Sequence, residues 1–473
     1  MLNSHIATQI YNNFGFQPTL EQKNVINSLA DYISTSQQGD IFILNGYAGT
    51  GKTTLIAALV TTLESLSIEY SLLAPTGRAA KVMSQYSGHN AHTIHKKIYR
   101  RSSAGASGGT FSLQLNKSHD SIFIVDEASM LSNGSFDTSS FGSGCLLDDL
   151  LQYINSGARN RLILVGDHAQ LPPVGLDYSP ALNDQYMCKY GTVHYHTLKE
   201  VVRQAQDSAI LLNATALRDN IEKEKLILPH FDLCAKQVVR VSGSELIESI
   251  EDSFRAVGRE DTIIITRSNK RANVFNNGVR ARVLDLEEEL TAGDMIMIVK
   301  NNYYYTSLDK ECKIDFIANG DVAIVERVLS HRQIYGFHYA LVRLRLPDYE
   351  DYTFQANVLL DTLQSESPSL TREQSSLLFS TIEQDYAHIG EKRKRYAQIM
   401  QNPYFNALQV KFSYAITCHK AQGGQWQHVY LDQMLFGSEP ITRDFQRWLY
   451  TAITRAQTRL HLINWHDDFF VSR

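Results

Sequence analysis

The sequence predicts an α/β protein with two parallel-sheet domains, each of which carries a smaller insertion. Two observations lead to this prediction. Short apolar runs alternate with helix-prone segments in both halves of the chain, and a β-rich stretch of different character lies inside the second half. Strands that alternate with helices form parallel sheets. The apolar runs of the first half are IFILN (41–45), YSLLAP (70–75), SIFIVDE (121–127) and RLILVGD (161–167).

The second half begins a new series of strands with TIIITRSN at 262–269 and ends with YAITCHKAQG, HVYLDQ and LHLIN. Between these flanks, MIMIVKNNYYY, DVAIVERVL and HYALVRLRL are short, β-rich and separated by turns, as in a small antiparallel barrel. A helix-prone polar stretch follows at about 371–401. We therefore expect a first domain at 1–235 and a second at 236–473, with a barrel and helical insertion at about 291–404.

The composition is that of a soluble globular protein: among 473 residues, 43% are hydrophobic and 20% are charged. There is no long apolar stretch and no basic segment followed by an apolar run at the N-terminus, so we expect neither a membrane span nor a secretory signal. The five cysteines are scattered without a CxxC pair, which argues against a zinc site and fits a reducing cytoplasm. A net charge of −5 excludes a chain coated with basic residues but permits a locally positive groove.

The segment GYAGTGKT at 46–53 matches the phosphate-binding pattern GxxxxGK[ST], and it lies between a predicted strand and a predicted helix as that pattern requires. Its glycines let backbone amides surround the phosphates of a nucleotide. Lys52 is expected to reach the β- and γ-phosphates, and the Thr53 hydroxyl is expected to bind Mg²⁺. The predicted nucleotide-binding residues here are Gly46, Gly49, Thr50, Gly51, Lys52, Thr53 and Thr54.

Two further segments follow buried strands, at the sheet edge where ligands bind in such folds. In SIFIVDE, we expect Asp126 to hold Mg²⁺ through water and Glu127 to orient and deprotonate the attacking water. In GDHAQLPP, Gln170 can hydrogen-bond a γ-phosphate, whereas His168 is expected to be a spacer because no metal-ligand partners lie nearby. These elements predict hydrolysis of ATP or GTP, but they leave open what the hydrolysis drives.

Nine segments resemble, in order and spacing, the successive motifs of superfamily 1 DNA helicases of the RecD-like group. They are TLEQ (19–22), GYAGTGKT (46–53), APTGRAA (74–80), TIH (93–95), VDEAS (125–129), GDHAQLPPV (166–174), VVRQ (201–204), YAITCHKAQG (414–423) and YTAITRA (450–456). The resemblance implies two RecA-like P-loop domains, a small wedge insertion at about 96–119 and an SH3-like barrel in the second domain. It also implies an ATP- and Mg²⁺-dependent motor that moves 5′ to 3′ on single-stranded DNA.

The resemblance also assigns roles to residues outside the nucleotide-binding loop. Gln22 matches the glutamine that contacts adenine, while Arg203 and Arg455 match the two arginines that reach the γ-phosphate. A guanidinium can stabilise the charge that builds on the γ-phosphoryl oxygens with two hydrogen bonds at once. The expected catalytic residues are Lys52, Glu127, Gln170, Arg203 and Arg455.

The same resemblance predicts a strand-binding face across the tops of both domains. The matching residues are Thr76, Arg78, Thr93, His95, Thr417, His419, Lys420 and Gln422. Their hydroxyl, amide and cationic groups can contact phosphates, which gives no sequence preference. Our hypothesis for the wedge is that Phe111 lies near its tip and packs on the first base pair. The alternative is that Phe111 is tucked against its own domain.

Other functions remain open from the sequence. They are the motor subunit of a recombination exonuclease complex, a translocase that acts on RNA or strips proteins, and a P-loop switch that is not a motor. The expected partners are single-stranded DNA, duplex junctions and possible recombination or repair proteins. The basic run 392–395 is expected to be a solvated helix face. The helical stretch 371–401 is longer than a minimal barrel needs, so its purpose is open.

Overall fold

The structure is a computed structural model that describes residues 2–101, 111–134, 142–202, 208–309, 314, 316–433 and 440–470. Arg203, one of the two predicted γ-phosphate arginines, lies outside these residues. In the described part of the chain, no helix is long and apolar enough to cross a membrane.

The first domain is built on a six-stranded sheet in which all neighbouring strands are parallel. In spatial order its strands, numbered along the chain, are β3 (Ala91–Thr93), β2 (Tyr70–Ala74), β6 (Ile122–Val125), β7 (Arg161–Gly166), β1 (Ile41–Gly46) and β8 (Val193–Leu198). The apolar runs identified in the sequence form four of the central strands. The parallel sheet predicted for the first half is therefore confirmed.

Helices cover both faces of this sheet because side chains alternate along each strand. In β1, Phe42 and Leu44 pack into one buried cluster, whereas Ile41 and Ile43 pack into another on the opposite face. The helices of this half are α1 (Leu2–Asn13), α2 (Leu20–Thr35), α3 (Lys52–Ser65), α4 (Gly77–Ser87), α5 (Ile94–Ile98), α6 (Leu146–Ser156), α7 (Asp184–Met187) and α8 (Ala209–Glu222). Short 3-10 helices occur at Ala128–Met130 and Pro180–Leu182.

A small antiparallel hairpin occupies the segment predicted to be the wedge. It consists of β4 (Tyr99–Arg101) and β5 (Phe111–Leu113), which pair with Arg101 opposite Phe111. The residues between the two strands, 102–110, are outside the described part of the chain.

The second domain is built on a five-stranded sheet, again entirely parallel. In spatial order its strands are β16 (Ala415–Thr417), β10 (Thr262–Thr266), β17 (Trp426–Asp432), β18 (Ala456–Ile463) and β9 (Val238–Val241). Its helices are α9 (Leu246–Val257), α10 (Asn269–Arg282), α14 (Cys418–Ala421) and α15 (Arg443–Ile453), with a 3-10 helix at Asp467–Phe469. Helix α8, which we expected in the first domain, shares a buried cluster with Trp448 and Trp465 of the second.

The β-rich insertion is a closed five-stranded barrel, as the sequence predicts. Its strands are β11 (Met295–Ile298), β12 (Val322–Ile334), β13 (Phe337–Leu346), β14 (Tyr352–Leu359) and β15 (Leu408–Phe412). The pairs are antiparallel except β14 with β15, which is parallel. The barrel therefore closes with a strand that lies beyond residue 404, where we expected the insertion to end.

Three helices belong to the barrel insertion: α11 (Tyr304–Leu308), α12 (Arg372–Asp385) and α13 (Lys392–Ile399). A 3-10 helix follows β14 at Leu360–Thr362. The polar helical stretch packs on the barrel because Leu378, Ile382 and Ile399 share a buried cluster with Phe337 and Tyr339. The basic run lies on α13, where its lysines and arginines face solvent or pair with acidic neighbours.

Candidate active site

A cavity of about 480 Å³ lies between the carboxyl edge of the first sheet and the second domain. This is the edge at which open parallel sheets bind ligands. The cavity brings together the phosphate-binding loop, the acidic pair after β6, the segment after β7 and the end of α15. The predicted site residues that line it are Gly49, Gly51, Lys52, Thr53, Asp126, Glu127, Gln170 and Arg455.

The phosphate-binding loop has the backbone that its glycines permit. Gly49 and Gly51 have φ values of +75° and +84°, in the left-handed region that other residues rarely adopt. A Cβ on Gly46 would lie 2.8 Å from the Lys52 side chain. Lys52 donates hydrogen bonds to the carbonyl oxygens of Gly46 and Tyr47, the latter at 3.0 Å, so its ammonium lies beside the loop where phosphates are expected. The other predicted residues of this segment are Thr50 at the end of the loop and Thr53 and Thr54 in the first turn of α3.

A hydrogen bond from the Gln22 side chain connects helix α2 to this loop. Its Nε2 donates to the Thr50 carbonyl at 2.9 Å, and its Oε1 accepts from the Thr19 amide at 2.9 Å as part of a capping box. The side chain is only 1% exposed. Both ends of the amide are thus engaged by the protein in this structure, and the adenine contact implied by the resemblance stays a prediction.

In the acidic pair after β6, both carboxylate oxygens of Asp126 accept hydrogen bonds. Its Oδ1 accepts from the Glu127 amide at 2.8 Å, and its Oδ2 accepts from the Tyr86 hydroxyl at 2.7 Å. Thr53 lines the same cavity. These oxygens fit Mg²⁺, which takes few protein ligands and keeps water and substrate phosphates. No cluster of three His, Cys, Asp or Glu side chains suited to a metal occurs among the described residues.

Glu127 stands opposite an arginine from the second domain. Its carboxylate lies 3.7 Å from the guanidinium of Arg455, which is 4% exposed. Burial raises the pKa of Glu127, and the charge of Arg455 opposes that shift. Glu127 also has a φ of +51°, a strained value for a residue with a side chain and one that is common at functional sites. The geometry suits a carboxylate that orients water and an arginine that faces the γ-phosphate.

Gln170 extends from the segment after β7 into the same cavity. Its side chain is 6% exposed, and its Oε1 has no hydrogen-bond partner among the residues that the structure describes. A buried amide without a partner is costly unless a ligand or water satisfies it. The contact of Gln170 with the γ-phosphate stays a prediction.

Two tyrosines of the cleft were missed by the sequence analysis. Tyr450 of α15 donates to Asp167 at 2.7 Å and accepts from the Ala48 amide at 2.9 Å, so one hydroxyl joins the second domain to two segments of the first. Tyr86 is the donor to Asp126. Tyr450 is the first residue of the YTAITRA motif and could have been considered. Nothing in the sequence marks Tyr86, because its partner lies 40 residues away.

The threonines of the predicted strand-binding face begin helices. Thr76 and Thr93 cap α4 and α5, and their hydroxyl oxygens accept from the amides of Ala79 and Lys96, each at 3.2 Å. Thr417 occupies the equivalent position before α14, although its side chain makes no capping bond. Helix N-termini favour anions, so these three positions are suited to phosphate contacts.

Burial lowers the pKa values of the two histidines and the lysine of this face. Burial lowers the pKa of His95 to about 4 and also lowers the pKa of His419, so both rings are neutral at pH 7. Burial lowers the pKa of Lys420 to about 8. His95 therefore offers a ring and a neutral hydrogen bond rather than a charge.

Two residues predicted to bind the strand make contacts between the domains in this structure. The guanidinium of Arg78 lies 3.9 Å from the ring centre of Trp426 and donates to the Gln425 carbonyl at 3.2 Å. Gln422 is buried, and its Nε2 donates to the Leu171 carbonyl at 2.7 Å. These contacts connect α4 and the segment after β7 to the second domain.

Phe111 packs against the barrel insertion. Its ring centre lies 4.3 Å from that of Tyr303, which lies 4.9 Å from that of Phe316. Phe111 is thus tucked against protein, as in the alternative interpretation, because it packs against a buried cluster of its own domain and also against Tyr303 of the second. A contact with a base pair stays a prediction.

A second opening of about 420 Å³ separates α4 and α5 from the barrel. Gly77, Thr93 and Lys96 line one wall, and the loop after β13 lines the other. Lys81 of α4 and Asp348 of that loop form an ion pair beside it. The opening passes the capped ends of both helices, where the predicted strand-binding residues lie.

Comparison with known proteins finds two family models and several helicases that are similar to this chain. A family model described as an AAA domain matches residues 20–228, and one described as a UvrD-like helicase C-terminal domain matches residues 412–463. The ATP-dependent RecD2 DNA helicase of Deinococcus radiodurans is 34% identical over 154 residues, which cover 33% of this chain and 18% of that protein. The ATP-dependent DNA helicase dda of Enterobacteria phage T4 is 23% identical over 320 residues, which cover 64% of this chain and 66% of that protein.

Among solved structures, the crystal structure of Pif1 helicase from Bacteroides in complex with ADP-AlF3 and ssDNA aligns over 97% of this chain and 95% of that chain, with 14% sequence identity and a TM-score of 0.44. The assignment rests on the ordered motifs, the cleft that gathers them and the two matching family models. The two family models and the RecD2 and dda relatives support an ATP-hydrolysing DNA helicase that is similar to the RecD-like group of superfamily 1.

Proposed function

We propose that this chain is a motor that hydrolyses ATP in the cleft between its two sheets, moves 5′ to 3′ on single-stranded DNA and unwinds duplexes at junctions. The observation that carries the proposal is that one cavity gathers Lys52 and Glu127 from the first domain and Arg455 from the second. A site that both domains complete can change their separation when its nucleotide changes.

The residues of the cleft divide the work of hydrolysis. Lys52 holds the β- and γ-phosphates, and Glu127 orients the attacking water and accepts its proton. Arg455, together with Arg203, stabilises the charge that develops on the γ-phosphoryl oxygens. Asp126 and Thr53 would hold Mg²⁺, which neutralises phosphate charge when it is bound.

The contacts across the cleft offer a route from hydrolysis to movement. Tyr450 contacts the phosphate-binding loop, and Gln422 contacts the segment that carries Gln170. Arg78 joins α4, whose capped end belongs to the predicted strand-binding face, to Trp426 of the second domain. A change in the separation of the domains would therefore move strand-binding elements relative to each other. That is the requirement for stepping.

The deciding experiment is the steady-state ATPase rate with and without a single-stranded DNA oligonucleotide, with Lys52→Ala as the control. We expect strong stimulation that the control abolishes. Partial duplexes with 5′ or 3′ overhangs then test polarity, and only the 5′ overhang should support unwinding. Stimulation by RNA but not DNA would redirect the proposal to an RNA translocase. No stimulation by either strand would contradict a motor that works alone and favour a partner-dependent subunit.

A further inference from the structure

The hairpin of β4 and β5, which occupies the segment predicted to be the wedge, is too small to be rigid by itself. Each strand has three residues, and the two strands form a sheet of their own. A two-stranded hairpin without further packing is at best marginally stable in water. An element that separates base pairs must resist the force of the duplex against it, so the hairpin needs support from the rest of its domain.

A buried carboxylate on helix α6 supplies this support to the first strand. Asp149 is 2% exposed, and its Oδ2 accepts from the hydroxyl of Tyr99, the first residue of β4, at 2.6 Å. Burial, and then the hydrogen bond to Asp149, raise the pKa of Tyr99, so its hydroxyl keeps the proton that it donates. Hydrogen bonds that a carboxylate accepts are about twice as strong as those between neutral groups. Asp149 therefore fixes the start of β4 to α6.

The second strand is attached to the same carboxylate through Gly142 and Ser143. The Gly142 amide donates to the carbonyl of Phe111, the first residue of β5, at 2.8 Å. The next amide along the chain, that of Ser143, donates to Asp149 Oδ2 at 3.0 Å. The segment fits there because residue 142 is a glycine, whose Cβ would overlap Asp149 Oδ2 and lie 2.7 Å from Tyr99 Cε1. One carboxylate oxygen thus connects both strands of the hairpin to α6.

This attachment lies beside the predicted strand-binding face. His95 precedes Tyr99 by four residues, and the centres of the two rings are 5.7 Å apart. The Tyr99 amide also donates to the His95 carbonyl at the end of α5. A strand that contacts His95 would therefore pass the base of the hairpin, next to the point where Asp149 holds it.

We propose that Asp149 and Tyr99 position the hairpin for duplex separation by fixing its base to helix α6. The inference rests on the proposed unwinding function. Both are positioning residues, because they act on the duplex only through the hairpin. While the base is fixed, each step along the strand pulls the duplex against an element that does not yield. Without the hydrogen bond the hairpin yields, and separation then depends on spontaneous opening of the base pairs.

The test separates unwinding from movement on the strand. Tyr99→Phe removes the hydrogen bond to Asp149 and keeps the buried ring. The ATPase rate stimulated by single-stranded DNA should stay near the wild-type level. The base pairs of a GC-rich duplex unwound per ATP should fall about tenfold, as for a lost hydrogen bond to a charged group. An AT-rich duplex opens more readily by itself, so the yield on it should fall by a smaller factor.

The matched control is Tyr190→Phe. Tyr190 also donates to a carboxylate of α6 at 2.6 Å, but its partner is Asp148 and it is not part of the hairpin. This variant should unwind both duplexes with the wild-type yield per ATP. Equal losses in the control and in Tyr99→Phe would overturn the proposal, because the effect would then come from α6 in general.

Gly142→Ala is a second variant, used also if Tyr99→Phe does not fold. Its Cβ would displace Asp149 Oδ2 while both hydrogen-bonding side chains remain, so the same selective loss on the GC-rich duplex is expected. A yield within about twofold of wild type overturns the proposal. So does a loss that is equal on both duplexes, or one that the ATPase rate matches. Absence of unwinding by the wild-type protein would instead refute the proposed function.

Discussion

Replacing Tyr86 with phenylalanine tests whether the Tyr86 hydroxyl positions Asp126, the expected metal ligand. The substitution removes one oxygen, whose 2.7 Å hydrogen bond orients Asp126 Oδ2, and keeps the ring that lines the cleft. Burial, and then the charge of Asp126, raise the pKa of Tyr86, so its hydroxyl remains a donor at all working pH values. Groups that orient a metal ligand typically change metal affinity by about 10- to 100-fold when they are removed.

We therefore expect Tyr86→Phe to raise the Mg²⁺ concentration at half-maximal ATPase activity by about tenfold, the lower end of that range, because Asp126 keeps its bond from the Glu127 amide. The rate at saturating Mg²⁺ should change less than twofold. Direct binding of Mn²⁺ to the ADP complex, followed by electron paramagnetic resonance, should weaken to the same extent.

The matched control is Tyr70→Phe. Tyr70 also donates or accepts a single side-chain hydrogen bond, at 3.1 Å to His89, and does not line the cleft. It should leave metal dependence unchanged. If Tyr86→Phe alters neither the Mg²⁺ requirement nor Mn²⁺ binding by more than twofold, the hydroxyl does not position Asp126 and the reasoning fails.

Three further predictions follow from named contacts. Arg455→Lys should lower the ATPase rate by about 10³-fold while binding of a fluorescent ATP analogue stays near the wild-type level. A decrease in the ATPase rate of less than tenfold would show that Arg455 does not stabilise the γ-phosphate. Asp321 is buried, which raises its pKa to about 7 against an unfolded value near 3.9, so wild-type stability falls as pH rises between these values. Asp321→Asn can still accept the hydrogen bond from Tyr349. With each pH unit in that window, its unfolding free energy should rise by up to about 1.4 kcal/mol relative to that of the wild type. A difference in unfolding free energy that does not change with pH would contradict this. Phe111→Ala should reduce the base pairs unwound per ATP, and unchanged unwinding in a fork assay would end the wedge hypothesis.

The nucleotide site could be predicted because its chemistry is local in sequence. The phosphate-binding loop is eight consecutive residues, and the Asp126–Glu127 pair directly follows a strand whose apolar pattern marks the edge of a parallel sheet. The two sheets and the barrel also followed from alternating patterns. In each case a periodicity or a glycine requirement within a short window determines the structure.

Contacts between distant segments could not be predicted in this way. The sequence predicts strand contacts for Arg78 and Gln422, which stay predictions, and only the packing of the second domain shows that both residues join the domains. The closing barrel strand was missed because LQVKF at 408–412 lies next to the strand of the parallel sheet, and adjacency in sequence suggested one domain.

Helix α4 connects the predicted strand-binding face to the expected metal ligand, and this makes a prediction about coupling. Thr76 caps its first turn, Arg78 rests on Trp426, and Tyr86 at its far end donates to Asp126. The helix has 11 residues and is about 16 Å long. It is short enough to move as a rigid body, so a shift at one end must appear at the other.

We therefore expect Arg78→Ala, which frees the first turn from the second domain, to raise the Mg²⁺ requirement in the same direction as Tyr86→Phe. If both substitutions act through α4, the free-energy change of the double variant should be smaller than the sum of the changes in the two single variants. The reason is that, without the Tyr86 hydroxyl, a shift at the Arg78 end of the helix no longer reaches Asp126. The measurement is Mn²⁺ binding to the ADP complex in all four proteins. Strict additivity would show that the two contacts are independent, and the strand would then have to influence the nucleotide site through the second domain alone.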